Sequence, residues 1–334
     1  EVLTPDRDAA EFTDNAVIGF ISGGFILGTG DSRNDSNDAT ETYVAWCMKA
    51  GGKPTVDNDN TSGAMDDGSV FKGGTVQTSY TPSGSPNIYP RKMSIAEHGG
   101  FSIVEYVGNG NDDQDVPHGL DTTLPDGGRP GFILGKRTDA TANWVVGHDG
   151  LDVDGDGLPW TDFMNFDVNA QAYDAVGVWS DEPPSPTVFT LGNGGGMNAS
   201  TGVHVAYLFQ RVPGLIGIGS YTGNADANGP NIIVDDGASG FRPAWILEKR
   251  TDAAGAWYIT DVARNQYNPV NFSFLAEGTN ADVTGTTSSG AFLDITANGY
   301  KIRGTSSGQE YNRSAPYIYV AFSDQAFQSQ ARAR

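Results

Sequence analysis

RPGFILGKRTDATANW, residues 129–144, and RPAWILEKRTDAAGAW, residues 242–257, agree at ten of sixteen positions at a constant spacing of 113 residues. The match spreads outward from this pair. Upstream, EYVGNGN (105–111) corresponds to SYTGNAD (220–226), at a spacing of 115 residues. Downstream, HVAYLF (204–209) corresponds to YVAFSD (319–324), again at 115. Each unit reads as an aromatic strand with a Tyr-x-Gly-Asn turn, an acidic loop, an Arg-Pro strand, a Lys-Arg-Thr-Asp turn and a Trp strand. A long polar loop, a Phe/Tyr strand and a closing Val-Ala-aromatic strand complete it. A repeat of about 110 residues is too long for solenoids or propeller blades and suits a whole β-sandwich.

The segments GFILGK and AWILEKR are short, apolar and end at turn signals, as sandwich strands do. In the Lys-Arg-Thr-Asp turn, Thr and Asp side chains bond their own backbone, so a shared turn explains the identity more economically than a repeated active site. The 45 glycines, with abundant Asn and Asp, supply the positive-φ positions that hairpins need. The expected fold is all-β, with tandem sandwiches in which Trp144 superposes on Trp257 and Lys136 on Lys249.

A third trace sits near the start. YVAWCM (43–48) matches the closing strand of both units, and GGFILGTG (23–30) matches NGYKIRGT (298–305) and the region around VFTLGN (188–193). The expected division is therefore residues 1–53 as the second half of a unit, 54–98 as a Gly/Asp/Ser-rich linker, 99–212 and 213–325 as complete sandwiches, and 326–334 as a polar tail. A lone closing strand would expose Val44, Trp46 and Met48, and unpaired edges invite aggregation. The half-unit is expected to be completed by an upstream segment of the same gene product or by a neighbouring subunit. The chain opens at Glu1 without an initiator Met or signal-peptide pattern and reads as cut from something longer.

A formal charge of −21 argues against nucleic acid and anionic lipid as partners. No run of eighteen apolar residues marks a transmembrane helix. Cys47 is the one cysteine, so neither an intrachain disulfide nor a cysteine-based zinc site exists; between Trp46 and Met48 it reads as a small buried strand residue.

GFSIVEYVGNG, VPHGL, FILGKRTDATANWVVGHDGL, PSPTVFTLGN and HVAYLF together resemble an uncharacterised concanavalin-like domain family encoded widely in bacteriophage genomes, especially marine phages. The likeness runs from about Ala16 to Phe322. It implies tandem concanavalin-like or jelly-roll sandwiches on a tail, fibre or other surface part of the virion, and neither a known ligand nor catalytic residues. The chain departs from that family after His148, where DGLDVDGDGLPWTD (149–162) replaces a neutral polar loop.

In this insertion Asp152, Asp154 and Asp156 stand at positions 1, 3 and 5 of a D-x-D-x-D-G pattern. Alternate carboxylates turn oxygens onto one point, and Gly157 allows the bend that wraps them around a hard cation. Phe163 occupies the place of an EF-hand's bidentate Glu, so the expectation is a short calcium loop converging on one cation, against a solvated acidic loop. His98, His118, His148 and His204 show no metal spacing; those in the turns VPHGL and VVGHDG read as surface or hydrogen-bonding residues. No nucleophile elbow or phosphate loop is present. Trp160, Trp179 and Tyr267 lie in unique loops beside Asp, Asn or Pro and are the carbohydrate-contact candidates.

The function expected is that of a non-enzymatic virion structural protein, homo-oligomeric, contacting other virion subunits and host-surface glycan. The alternatives are a calcium-dependent lectin and a polysaccharide depolymerase. The depolymerase requires two carboxylates about 5–9 Å apart in an aromatic groove.

Overall fold

The computed structural model describes residues 2–14, 16–21, 23–28, 37, 40–278, 283–284, 293–304 and 311–323; the expected polar tail, 326–334, lies outside them. Val17–Ile21 (β1) and Gly24–Leu27 (β2) form an antiparallel hairpin. Val70–Lys72 (β3), Thr75–Gln77 (β4) and Pro90–Ile95 (β5) follow. The first repeat contributes Phe101–Val107 (β6), Gln114–Pro117 (β7), Phe132–Arg137 (β8), Val145–His148 (β9), Asp162–Asn165 (β10), Tyr173–Asp174 (β11), Val188–Leu191 (β12) and Val203–Phe209 (β13). Helix among the described residues is confined to two single turns, Val176–Trp179 (α1) and Gly195–Asn198 (α2). The second repeat contributes Ile216–Thr222 (β14), Asn231–Ile233 (β15), Trp245–Arg250 (β16), Tyr258–Asp261 (β17), Phe272–Leu275 (β18), Val283–Thr284 (β19), Leu293–Ile295 (β20), Gly299–Ile302 (β21) and Pro316–Phe322 (β22). The fold is all-β and sandwich-like. No helix among the described residues is long and apolar enough to cross a membrane.

The larger sheet of the first repeat has the order β11-β10-β9-β8-β13-β6-β5-β3-β4, and that of the second β14-β22-β16-β17-β18-β19. Five strands follow one order in both: β10-β9-β8-β13-β6 and β18-β17-β16-β22-β14. Facing them, β12 pairs with β7, and β21 pairs with β15 and β20. Lys136 lies opposite Val205 and Lys249 opposite Ile318, so the two lysines hold the same register position. Trp144 and Trp257 each immediately precede the next strand.

The register corrects the match at the closing strand. Ala206 lies opposite Gly135 and Tyr319 opposite Glu248, which places β22 at a spacing of 113 residues from β13, not 115. The opening strands do keep 115, since Phe101 faces Phe209 and Ile216 faces Phe322. A slip of two residues returns every side chain to the same face. The alternating pattern therefore fitted both alignments.

Residues 54–98 are not a linker throughout. β5 pairs with β6 and, in parallel, with β3, and Val70, Met93 and Ile95 are wholly buried. Asn58 ties the irregular approach to this edge: its amide donates to the Pro90 carbonyl at 2.9 Å and its oxygen accepts from the Asp66 N–H at 3.0 Å. Residues 43–48 form no strand. Trp46 instead meets Trp245 and Phe274 edge-on, at 6.2 and 5.6 Å between ring centres, and Cys47 is exposed rather than buried.

Three apolar clusters follow from the alternation of side chains. His204, Ala206 and Leu208 of β13 point to the β7–β12 side, where Val104, Phe189 and Leu191 pack. Tyr319 and Ala321 of β22 point to the β15–β21 side, against Ile232 and Tyr300. The opposite faces of both large sheets, including Phe101, Phe209, Leu247 and Val320, share one cluster. Phe209 meets Phe322 at 5.6 Å across it. Strands such as β9 are buried at all four positions because both faces of their sheet are covered.

Candidate functional site

The most strongly repeated residues hold backbone to backbone. Tyr106 donates its hydroxyl to the Met197 carbonyl at 2.8 Å, and Tyr221 to the Tyr311 carbonyl at 3.0 Å. The next residue, Asn198 or Asn312, accepts from Asn109 N–H or Asn224 N–H at 2.8 and 2.9 Å. Its amide donates to two carbonyls, Asn111 and Gly192 in one repeat and Asp226 and Gly304 in the other. This clamp accounts for the Tyr-x-Gly-Asn sequence. In the Lys-Arg-Thr-Asp turn, Arg137 pairs with Asp139 at 2.8 Å and Arg250 with Asp252 at 2.5 Å. Lys136 and Lys249 are buried, and their ammonium groups donate to the carbonyls of Ala142 and Gly255. Burial depresses the Lys136 pKa, countered by Asp167 and Asp8.

Three histidines are bonded to the backbone. His118 and His148 are buried, not surface residues. Each bonds one ring nitrogen to a carbonyl (Ser185 at 3.2 Å, Tyr319 at 3.1 Å) and accepts a backbone N–H on the other (Leu120 at 3.1 Å, Gly150 at 2.9 Å). His204 stacks on Tyr106 at 5.3 Å. Burial pulls the pKa values of His118, His148 and His204 down to about 4, 3 and 4. All three are neutral near pH 7. The His148 bond joins β9 to β22 and so crosses between repeats. Beside it, Arg211 pairs with Asp126, Asp149 and Asp235 at 3.1, 2.6 and 3.1 Å.

The second repeat also buries Glu248, 1% exposed. Neither carboxylate oxygen has an aligned hydrogen-bond donor among the described residues. Burial lifts its pKa to about 7, and the neighbouring Tyr300 and Tyr221 hydroxyls offset this only in part.

The acidic insertion gathers as expected from its spacing. Single ligand oxygens of Asp152, Asp154 and Asp156 all lie within 4.8 Å of one another, and all three residues are exposed. Gly155 and Gly157 both take φ +79°, the left-handed region that glycine tolerates. Each carboxylate also accepts a loop N–H: Gly157 on Asp152 at 3.2 Å, Asp156 on Asp154 at 3.2 Å and Leu158 on Asp156 at 2.7 Å. Asp162 on β10 closes the loop by accepting the Val153 N–H at 2.6 Å. Its side chain is fully buried, and its other oxygen has no hydrogen-bond partner among the described residues. Burial raises its pKa, and the charges of Asp154, Asp174 and Asp156 add to the rise.

The aromatic candidates separate. Trp160 and Trp179 are 5% and 1% exposed and meet edge-on at 5.6 Å inside the first repeat's core. Gly147 makes their room: a Cβ there would lie 2.5 Å from Trp160 and 2.8 Å from Trp179. They are core residues, not a sugar platform. Tyr267, 81% exposed, is the one that stands in solvent.

No curated protein and no solved structure matches this sequence. One family model does, over residues 71–326, starting inside β3 and running beyond the last strand. That span covers well over half of the chain and takes in the added strands β4 and β5 with both repeats. The chain therefore belongs to the family described as a domain of unknown function, DUF7483.

Proposed function

We propose that this chain is a non-enzymatic structural component of a bacteriophage virion, built of tandem concanavalin-like sandwiches and assembled as a homo-oligomer with other surface subunits. The observation that carries the reading is the apolar layer shared by the two large sheets. Each sheet gives one face to its own small sheet and the other to this shared layer, which also holds an apolar cavity of about 320 Å³ lined by Phe101, Tyr207, Phe209, Trp245 and Phe322. Burial of a large apolar side chain is worth roughly 1.5–3 kcal/mol. A layer of such residues favours a lasting pairing of the repeats, which suits a structural part. The charge of −21 disfavours nucleic acid and anionic membranes as partners. Labelling particles with an antibody to this chain and imaging them tests the proposal. Decoration of the particle surface is expected; label absent from purified particles overturns it.

A second reading, cation-dependent binding of host-surface glycan, is favoured by the Asp152, Asp154 and Asp156 loop. Three exposed carboxylates this close repel one another, and a cation joining them would relieve that repulsion. A calcium-class ion takes 6–8 oxygens at roughly 2.3–2.6 Å, so carbonyls and waters would complete the shell. Titrating calcium into chelated protein by calorimetry checks the loop, with loss of heat in Asp154→Asn as the control. A glycan array with and without chelator, and with Tyr267→Ala, checks the sugar.

A further inference from the structure

The two repeats are joined by a set of backbone contacts that occurs twice. After β10 the first repeat's chain runs on to the second repeat. Asn165 O accepts from the Trp257 indole at 2.9 Å, Asn169 O from Gly255 N–H at 2.8 Å, and Thr251 O from Ala172 N–H at 2.9 Å. On the first repeat, residues 4–11 make the same contacts. Thr4 O accepts from the Trp144 indole at 3.0 Å, Asp8 O from Ala142 N–H at 2.9 Å, and Thr138 O from Glu11 N–H at 2.8 Å. Phe163 pairs with Tyr173 in the one segment, and Val2 with Phe12 in the other. Asn165, Asn169 and Ala172 lie 161 residues from Thr4, Asp8 and Glu11, and the residues they meet, Trp257, Gly255 and Thr251, lie 113 from Trp144, Ala142 and Thr138. Asp6 and Ala9 even coincide with Asp167 and Ala170.

The equivalence continues into the hairpin. In β20–β21, Leu293 faces Ile302 and Ile295 faces Tyr300; in β1–β2, Val17 faces Leu27 and Phe20 faces Phe25. Burial is what differs. Leu293 and Ile295 are 0% and 6% exposed beneath the sheet of their own repeat, whereas Val17 and Phe20 are 42% and 85% exposed. Among the described residues, eight of the seventeen large exposed apolar side chains fall within residues 17–48, so the bareness is concentrated in this stretch.

We propose that residues 2–27 belong to the trailing half of a third unit, and that the bare face of β1–β2 is a docking surface for the leading half of a unit of this same fold. The occupant is four strands equivalent to β6–β9, ending where residue 2 takes up the role of Phe163. The stacking contact continues the interface already made between the two repeats, which fixes the occupant's orientation. The proposal rests on the tandem-unit part of the functional reading and not on the virion. Failure of particle labelling therefore leaves it standing.

The test appends a copy of residues 99–161 ahead of Glu1, so that Glu1 follows Thr161 where Asp162 normally does. Hydrogen exchange of peptides covering 17–48 is then compared with residues 1–334 alone. Exchange slowed about tenfold or more is expected, because opening then requires breaking a packed unit. Phe20→Asp in the extended chain should restore fast exchange while leaving the two repeats protected. A second extension, residues 214–271, guards against a leading half that fails to fold for its own reasons. The proposal is overturned if both extensions leave 17–48 exchanging as in the parent. It is equally overturned if residues 1–334 alone protect 17–48, whether as a monomer or by pairing with a second copy.

Discussion

Gly135 and Glu248 occupy one position in two sheets that share five strands in the same order, yet the side chains facing them differ. In the first repeat Met197 fills the space; a Cβ on Gly135 would lie 2.2 Å from its sulfur. In the second, Tyr311 stands at the Met197 position and leans to Tyr258 at 4.5 Å, donating its hydroxyl to Ser273 at 3.1 Å. Glu248 takes the vacated room among tyrosines. His204 and Ala206 of β13 likewise correspond to Tyr317 and Tyr319 of β22. The Tyr and Asn clamps, the buried lysines and the Arg–Asp turns are the same in both. Backbone geometry is thus held by bonds to backbone, which frees the side chains within to diverge.

The most disruptive way to break this comparison is Gly135→Glu, which carries the second repeat's carboxyl into the first. Overlap with Met197 and an unpaired buried charge together predict a loss of about 4 kcal/mol or more, read by urea titration. Adding Met197→Ala should return part of it, since the clash resides in that side chain. Next comes Glu248→Gln. The Glu248 pKa rises from 4.5 to about 7 on folding, so its contribution is whole below pH 4.5 and is lost as pH climbs through 7. The histidines run oppositely: depressed from 6.5 to about 4, 3 and 4, they contribute fully above pH 6.5 and lose it as pH falls through those values. Without Glu248, stability should rise more steeply between pH 4.5 and 7, by on the order of 3 kcal/mol over that window. An unchanged profile would refute the buried charge.

Smaller effects sharpen the likeness. Asn198→Ala and Asn312→Ala should each cost about 1–3 kcal/mol, because each strands backbone groups the clamp had satisfied. Matching losses are expected, and a neutral result in either repeat would remove the clamp from the account. Arg137→Ala and Arg250→Ala break partly exposed pairs within a turn, for which thermal scans should show less than about 1 kcal/mol.

Much of this was legible beforehand, and the exceptions are physical. The Arg-Pro and Lys-Arg-Thr-Asp match located β8 and β16 because Lys136 and Lys249 each bond a carbonyl of the same turn, Ala142 or Gly255. The closing strand was placed two residues off because period-two alternation cannot tell such registers apart. β3 went unread: three residues in a parallel pairing leave no periodic trace, and Gly- and Asp-rich turns surround them. Trp160 and Trp179 looked like loop aromatics because their neighbours are polar, while Gly147, far off in sequence, makes the room that buries them. The carboxylate cluster was readable because its geometry is wholly local.

One property of the sheets bears on how the molecule is made. In each repeat the last strand, β13 or β22, lies between the first strand and the third, so it inserts at the middle rather than adding at an edge. A chain emerging from the ribosome at about 5–20 residues per second completes each sheet only when the last strand of that repeat is released. Until then β6 and β8, or β14 and β16, wait with their inner edges unbonded. Pairings so distant along the chain close slowly. Synthesis, not only sequence, therefore sets when each repeat can fold, and a pause before Val203 or Pro316 would prolong the interval in which neighbouring copies exchange strands.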